Sequence, residues 1–593
     1  MRLDVLWCPV LAACCYAAGL GGQTVAPGEH GPVPVFTTHA HEVVVDVVVT
    51  KGNDDPVTGL HKQDFKVMED GKPVQVDYFE EHTAKTLPPG TLPPIPQMPA
   101  NVYTNVPPVP ESDSVNVLLL DSLNTRKQDQ SYVHLQMLNF LKNMQPGIRV
   151  AIFTLGSKLR FVQGFTTDNS VLLAALNDKK TGVSPQTDPS SRSREDDQDD
   201  KDHIATKVMM MGGHMTGGIE AVAASQRDFA DIQYANRVGM TLEALNYLAR
   251  YLGGVPGRKN LIWFASSFPV TVFPTSAQRQ TMGDMRVYAS AVKKTADLLT
   301  VSKVAVYPIS AEGMMDDHPM EADHDYEQAG VGAGLMQNIM EGAGHRADTI
   351  FAMEQLAADT GGKAFYNTND LNGALTHVIN DGAHYYTLVY TPTNMKMDGQ
   401  YRRIEVKLNE GKYKLSYRRG YNADDTITAE VKPESDPLRP LLIRGLPGAT
   451  QLLYGVRVVP ETPQPAPNAT RAGKNPKLTG PFTRYSVDFM IRWTDVRFEA
   501  SAAGTHRGKI QVGLMAYDRD GNAVNWVGAT QEMNLKPEIY AAIQKSGIPV
   551  HMEIDLPNTD VYLETGVYDW GTEKAGTLEI PLGPSNAQSA SGN

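Results

Sequence analysis

The sequence predicts a doubly wound α/β unit with a mostly parallel sheet, inserted in a β-sandwich and followed by a second β-sandwich. Three observations lead there. From Ser114 to about Asp381, apolar runs of strand length alternate with segments of helical spacing, the pattern of a parallel sheet covered on both faces. The stretches on either side, Glu42 to Phe79 and His384 to Tyr417, have a period of two, and neither is long enough to bury its own apolar face. A tail with strands at Tyr485–Trp493, Lys509–Tyr517, Val550–Ile554 and Val561–Trp570 repeats that period. At 593 residues the chain is too long for one core.

The first element is an export signal. Met1-Arg2 precedes an apolar stretch, Val5 to Leu20, shorter than a comfortable membrane span, so residues 1–22 read as a secretory signal. All three cysteines, Cys8, Cys14 and Cys15, lie inside it. The rest of the chain therefore has no thiol chemistry and no disulfide framework. Leu11-Ala12-Ala13-Cys14 matches a bacterial lipobox, so two readings stand: a cleaved signal, or a lipid anchor on Cys14. Nothing downstream has the length and apolarity of a transmembrane helix. The expected location is exported: periplasmic, secreted or attached to the cell envelope. The net charge of −13 argues against a nucleic-acid partner, which would require a concentrated basic face.

The remaining elements follow in order. Residues 37–82 form a small β unit: E-V-V-V-D-V-V-V-T at Glu42–Thr50 is a strand, and Asp70-Gly71 is a tight turn between two more. Residues 83–113, proline-rich from Leu87 to Pro110, read as an extended, semi-rigid linker. The α/β unit spans 114–382. Its strands are Val115–Leu120, Arg149–Leu155, Leu159–Val162, Asn260–Ala265, Lys303–Pro308 and Lys363–Tyr366. Its helices are Gln130–Met144, Asn169–Leu176, Ile232–Leu252, Met285–Leu299, Thr349–Ala358 and Leu371–Asn380. Residues 383–421 supply strands that complete the N-terminal β unit, with contacts expected between Val43–Val49 and Leu388–Leu415. Residues 435–585 form the C-terminal sandwich, expected to stand as an independent domain.

Several segments together carry a family resemblance: V-V-V-D-V-V-V-T, D-F-K-V-M-E-D-G-K-P-V, L-L-L-D-S-L-N-T, P-G-R-K-N-L-I-W-F-A-S-S, Y-Y-T-L-V-Y-T-P and Y-R-R-I-E-V-K-L, closing at R-R-G-Y. From Glu42 to Tyr421 the chain resembles the secreted VWFA-related acidobacterial domain proteins, and its α/β unit resembles a von Willebrand factor A domain. The resemblance implies a protein-binding or adhesion module with no agreed enzymatic activity.

It also implies where a ligand face should be. A buried strand that ends in a carboxylate is where open α/β sheets place ligand sites, and metal-dependent adhesion domains put D-x-S-x-S there. This chain has Asp121-Ser122-Leu123-Asn124-Thr125. Asp121 fits, Thr125 fits loosely, Ser122 and Asn124 are further oxygen donors, and Leu123 replaces a ligand serine. The family's second element is a threonine; Thr241 is the nearest, while the expected position falls on Gly239. The third is an aspartate, where Ser266-Ser267 stand. A divalent cation such as Mg²⁺ requires hard oxygen ligands in near-octahedral geometry. With two of three elements changed, the site reads as degenerate, Asp121 reads better as a cap or backbone acceptor, and no cofactor is expected. The alternative is Mg²⁺ or another divalent cation on Asp121 and Thr125.

Other motifs point less sharply. The insertion Pro185–Ser225 carries an acidic run (Glu195 to Asp202), then Met209-Met210-Met211, His214 and Met215; the insertion Met314–Arg346 carries Asp316, Asp317, His318, Glu321, Asp323, His324 and Asp325. Both read as solvated loops, with soft copper ligands or Ca²⁺ ligands as the chemical alternatives. Asn468-Ala469-Thr470 matches a glycosylation sequon by pattern only. There is no G-x-S-x-G, H-E-x-x-H, C-x-x-C or Walker loop. The expectation is an exported, non-enzymatic interaction protein that presents Asp121, Ser122, Asn124, Thr125, Thr241, Ser266 and Ser267 to a protein or extracellular-matrix ligand. The alternative is a cell-envelope hydrolase or metal-handling protein using the Asp/His-rich loops, with Ser266 or Ser267 as nucleophile and His384 or His345 as base.

Overall fold

The computed structural model describes residues 43–583 except 53–54, 84–97, 108–113, 146, 178–234, 269–281, 312–346, 348, 369, 397, 399, 410, 424–435, 462–463, 466–469, 476–477, 479–480 and 502–503. The signal with Cys14, the acidic, methionine and Asp/His insertions, most of the proline-rich stretch and the asparagine of the sequon lie outside the described residues.

Val43–Lys51 is a valine-rich strand that cannot stay in water alone, and its partners come from the far side of the α/β unit. Val45 lies opposite Leu388 and Val47 opposite Tyr386, while Val49 lies opposite Leu415. This first sheet runs Lys414–Ser416, Val43–Lys51, Tyr385–Tyr390, Val76–His82, with Asp55–Pro56 added on Val43–Lys51. The second runs Gly420–Ala423, Gln400–Leu408, Phe65–Glu69, Lys72–Val74. Val45, Val47, Phe65, Val67, Tyr386 and Val406 share one core between the sheets. The flanks are thus one β-sandwich, interrupted by the α/β unit. Asp70 and Gly71 both have positive φ (48° and 77°), the backbone a tight two-residue hairpin needs. Within the core the Tyr390 hydroxyl donates to Glu69 at 2.8 Å and that of Tyr421 at 2.9 Å, so the buried carboxylate keeps partners.

The α/β unit has a five-stranded sheet in the order Val304–Ser310, Arg258–Ala265, Ser114–Asp121, Val150–Leu155, Leu159–Thr166. The first four strands are parallel and the last is an antiparallel edge. Strands buried on both faces read as continuous apolar runs rather than alternations, as V-N-V-L-L-L does here. Leu118 and Leu120 pack with helices Lys127–Asn143, Asn169–Asn177 and Leu371–Ala383 through Val133, Met137, Leu172 and Leu375. Val117 and Leu119 face the other way, toward helices at 235–252, Met282–Val301 and 349–360. This is the von Willebrand factor A-like arrangement, a mostly parallel sheet with helices on both faces. The expected strand at Lys363–Tyr366 is reduced to one parallel bridge, Ile309 to Phe365.

Further departures from expectation concern the C-terminal sandwich. Its sheets are Ile548–Pro557, Phe482–Ile491, Tyr454–Pro460, Val102–Thr104, and Glu499–Ala500, His506–Tyr517, Val561–Asp569, Ala575–Leu582 with Ala523–Leu535 on the free side of His506–Tyr517. First, the strand Val102–Thr104, from within the proline-rich stretch, is part of the sandwich. Asn105 fixes it: its side-chain amide donates to the carbonyls of Ala449 and Leu452 at 3.1 and 2.8 Å and accepts the Tyr454 amide at 2.9 Å. Second, the sandwich is not independent. Thr450 donates its amide to the Arg250 carbonyl and its hydroxyl to Tyr251, and accepts the Gly254 amide. Arg250 reaches the Glu573 carbonyl at 2.7 Å, and Lys294 pairs with the Glu573 carboxylate at 3.0 Å. A Cβ on Gly254 would lie 2.1 Å from the Thr450 carbonyl, so only glycine permits this approach. A helix at Pro537–Ser546, with proline in its first turn, was also not anticipated. Among the described residues, no helix is long and apolar enough to cross a membrane.

Candidate functional site

Chain order places Asp121 before its chemistry is considered. From Ser114–Asp121 the chain moves to Val150–Leu155 on one side and later to Arg258–Ala265 on the other. Asp121 thus ends the central strand at the point where the strand order reverses, where crevices open in such sheets.

The loop that follows closes on itself. Asp121 Oδ1 accepts the Asn124 backbone amide at 2.9 Å. Asp121 Oδ2 accepts the Asn124 side-chain amide at 2.7 Å and the Trp263 indole N–H at 2.8 Å. The Thr125 hydroxyl donates back to the Asp121 carbonyl, and the Ser122 hydroxyl donates to Leu155 O at 2.9 Å. Gln130, in the first turns of the next helix, donates to the carbonyls of Ser122 and Thr125. Leu123, fully buried, joins the core that holds Leu119, Leu242 and Trp263.

The other two elements arrive at the same place. Thr241, inside the helix at 235–252, gives its hydroxyl hydrogen to Arg237 O at 2.8 Å and accepts the Asn124 side-chain amide at 2.9 Å. One NH₂ group therefore bridges Asp121 and Thr241. The amides of Ser266 and Ser267 donate to Asn124 O at 3.1 and 2.9 Å. The Ser266 hydroxyl donates to Asp129 Oδ2 at 2.7 Å, which also takes Arg126 Nε at 2.8 Å.

Burial pushes the Asp121 carboxyl up to about 6, while the hydrogen bonds from Asn124 and Trp263 pull the other way. A divalent cation would need lone pairs free to coordinate it. Both Asp121 oxygens are already taken by three N–H donors, and the Thr241 hydroxyl both gives and receives a bond. Ser266, just after the strand Arg258–Ala265, brings no carboxylate and has its hydroxyl turned to Asp129. These residues do not fit Mg²⁺. Among the described residues, no three His, Cys, Asp or Glu side chains gather as a metal site.

The sequence-derived residues do come together. Asp121, Asn124, Thr125, Thr241 and Ser266 are buried, and only Ser122 and Ser267 reach partway to solvent. Gly239, the position expected for the second element, is exposed on its helix. Two members of the network were missed: Trp263 and Asp129. Trp263 carried a usable signal, because a buried indole N–H requires an acceptor and the carboxyl edge of the sheet offered Asp121. Asp129 carried none, since its partners are set by how the helix start packs on Ser266.

No protein-family model matches this chain, and no curated protein is similar to it. Among solved structures, an aerotolerance-related membrane protein from Bacteroides fragilis NCTC 9343 is 11% identical over 45% of this chain and 98% of its own, with a TM-score of 0.24. BatB from Bacteroides thetaiotaomicron gives 11%, 45% and 98%, with a TM-score of 0.20. The three N-terminal domains of the type V pili tip protein Mfa5 from Porphyromonas gingivalis are 9% identical over 87% of this chain and 77% of theirs, with a TM-score of 0.22. Likenesses this slight bear on no function, and the fold rests on the strand order given above.

Proposed function

We propose that this chain is an exported, non-enzymatic interaction protein, akin to the VWFA-related acidobacterial domain proteins its motifs resemble. It would bind a protein or matrix ligand without a cation. One observation carries this reading: the Asn124 amide joins Asp121 to Thr241, the role a shared cation would have at an adhesion site. The loop is thereby fixed before any ligand arrives, which lowers the ordering cost of binding. The partner would meet the half-buried rim of Ser122, Arg126 and Ser267 around the closed network. Surface plasmon resonance of the full chain over a panel of matrix and cell-surface proteins tests this, in EDTA and in Mg²⁺. The expected result is a saturable ligand held equally in both buffers and weakened by Arg126→Glu. Binding that vanishes in EDTA, or turnover of the captured ligand, would overturn it.

A further inference from the structure

The outer face of the larger C-terminal sheet holds a pair of acids that the proposed binding function does not use. Glu564 and Glu579 are directly opposite each other on neighbouring strands, so their side chains lie side by side on that face. Glu564 is 2% exposed, and its Oε1 has no hydrogen-bond partner. Two ionised carboxylates are acceptors only, so a hydrogen bond between these neighbours requires a proton. Glu579 Oε2 also accepts the Gly445 amide at 2.9 Å.

Gly445 begins a clip between the sheet and the α/β unit. The Tyr247 hydroxyl, from the helix at 235–252, donates to Pro447 O at 2.8 Å. Ala449 exchanges hydrogen bonds with Thr577, giving its amide to the hydroxyl and taking the Thr577 amide on its carbonyl. Thr450 then reaches Arg250 and Tyr251.

We propose that Glu564 and Glu579 share one proton as a latch that holds the clip, and that losing this proton releases the α/β unit from the C-terminal sandwich. The titratable groups near Glu564 offer no counter-charge: Tyr247 from the helix, Tyr517 from a neighbouring strand, Tyr454 on the core side of the sheet, and Glu579 itself. The nearby arginines are engaged elsewhere. Arg439 acts on Tyr517 and lies over Trp526; Arg444 donates to the carbonyls of Asp518 and Arg519 and lies over Tyr562; Arg250 reaches Glu573. Burial, then the contact with Glu579, holds the Glu564 carboxyl up to about 9. A folded-state value raised this way stabilises docking at lower pH, and the contribution is lost as pH rises through that value.

Small-angle scattering and subtilisin cleavage of the full chain between about pH 7 and about pH 10 test this, with cleavage normalised to an unstructured peptide. The wild type should expand, and cleavage between Leu438 and Gln451 should accelerate by up to about tenfold per pH unit as pH rises from 7 toward 9, levelling off above that value. Glu564→Gln should hold its neutral-pH dimensions throughout, because a neutral amide keeps the contact without a titrating proton. Should that variant fail to fold, Glu579→Gln serves, since its amide can donate to an ionised Glu564. A wild type that does not change over the range overturns the proposal. So does a transition that persists in both variants.

Discussion

The side-chain amide nitrogen of Asn124 donates to the Asp121 carboxylate at 2.7 Å. The same nitrogen reaches Thr241 at 2.9 Å, so one neutral amide joins the loop after the central strand to the helix at 235–252. Asn124→Ala removes both bonds and leaves Asp121 buried with one fewer side-chain donor. The expected cost is about 2–4 kcal/mol of unfolding free energy, measured by urea denaturation. A loss below about 0.5 kcal/mol would show that the bridge is not structural.

Lys259 is 2% exposed, and its ammonium donates to Ser302 O at 3.0 Å. Burial, with Lys303 adding to it, lowers its pKa from 10.5 to about 7. Between these two values the unfolded chain binds a proton that the folded chain does not. This group's contribution therefore rises with pH across the window and is lost as pH falls toward 7. Lys259→Met should remove that slope. The variant's stability relative to wild type should be higher by a few kcal/mol near pH 7 than near pH 10.5, as read from paired denaturation curves. A difference that does not change with pH would count against a strained lysine.

The seam between the α/β unit and the C-terminal sandwich passes through Gly254 and Thr450. A methyl group at residue 254 would collide with the Thr450 carbonyl, which backbone cannot easily avoid. Gly254→Ala should separate the two units, so that calorimetry resolves a second unfolding transition where the wild type shows the units melting together. Thr450→Val, which removes two hydrogen bonds without a collision, should do the same more weakly.

Much of this architecture could be read from the sequence, and the limits are physical. The valines of Val43–Lys51 and the tyrosines of Tyr385–Tyr390 each present an apolar face too large to leave in water, so their pairing across the α/β unit followed from need alone. Val102–Thr104 did not, because three residues among prolines carry no period, and their place depends on the Asn105 contacts with a segment about 345 residues away. The docking of Thr450 on Gly254 was hidden for the same reason: a glycine at a helix end looks like a stop signal whether or not another chain segment lies against it. At the loop after the central strand, the sequence brought Asp121, Asn124, Thr125, Thr241 and Ser266 to attention, and the structure places them together. The role of Asn124 required the geometry, since an asparagine can serve as oxygen donor or as N–H donor.

Asn105 offers a separate test of the linker strand. Asn105→Ala leaves the carbonyls of Ala449 and Leu452 and the Tyr454 amide without this partner in a buried setting. The expected loss is about 2–4 kcal/mol, accompanied by faster proteolysis within residues 98–107. Proteolysis at the wild-type rate would mean the strand is held by its backbone pairing alone.

The most direct measurement is calorimetric titration of Mg²⁺, Mn²⁺ and Ca²⁺ into the wild type and into Asp121→Ala. If the Asn124 amide already occupies the bonds of Asp121 and Thr241, the two proteins give the same heats and show no saturable binding that depends on Asp121. Saturable uptake by the wild type that disappears in Asp121→Ala would contradict the closed network and restore a working cation site.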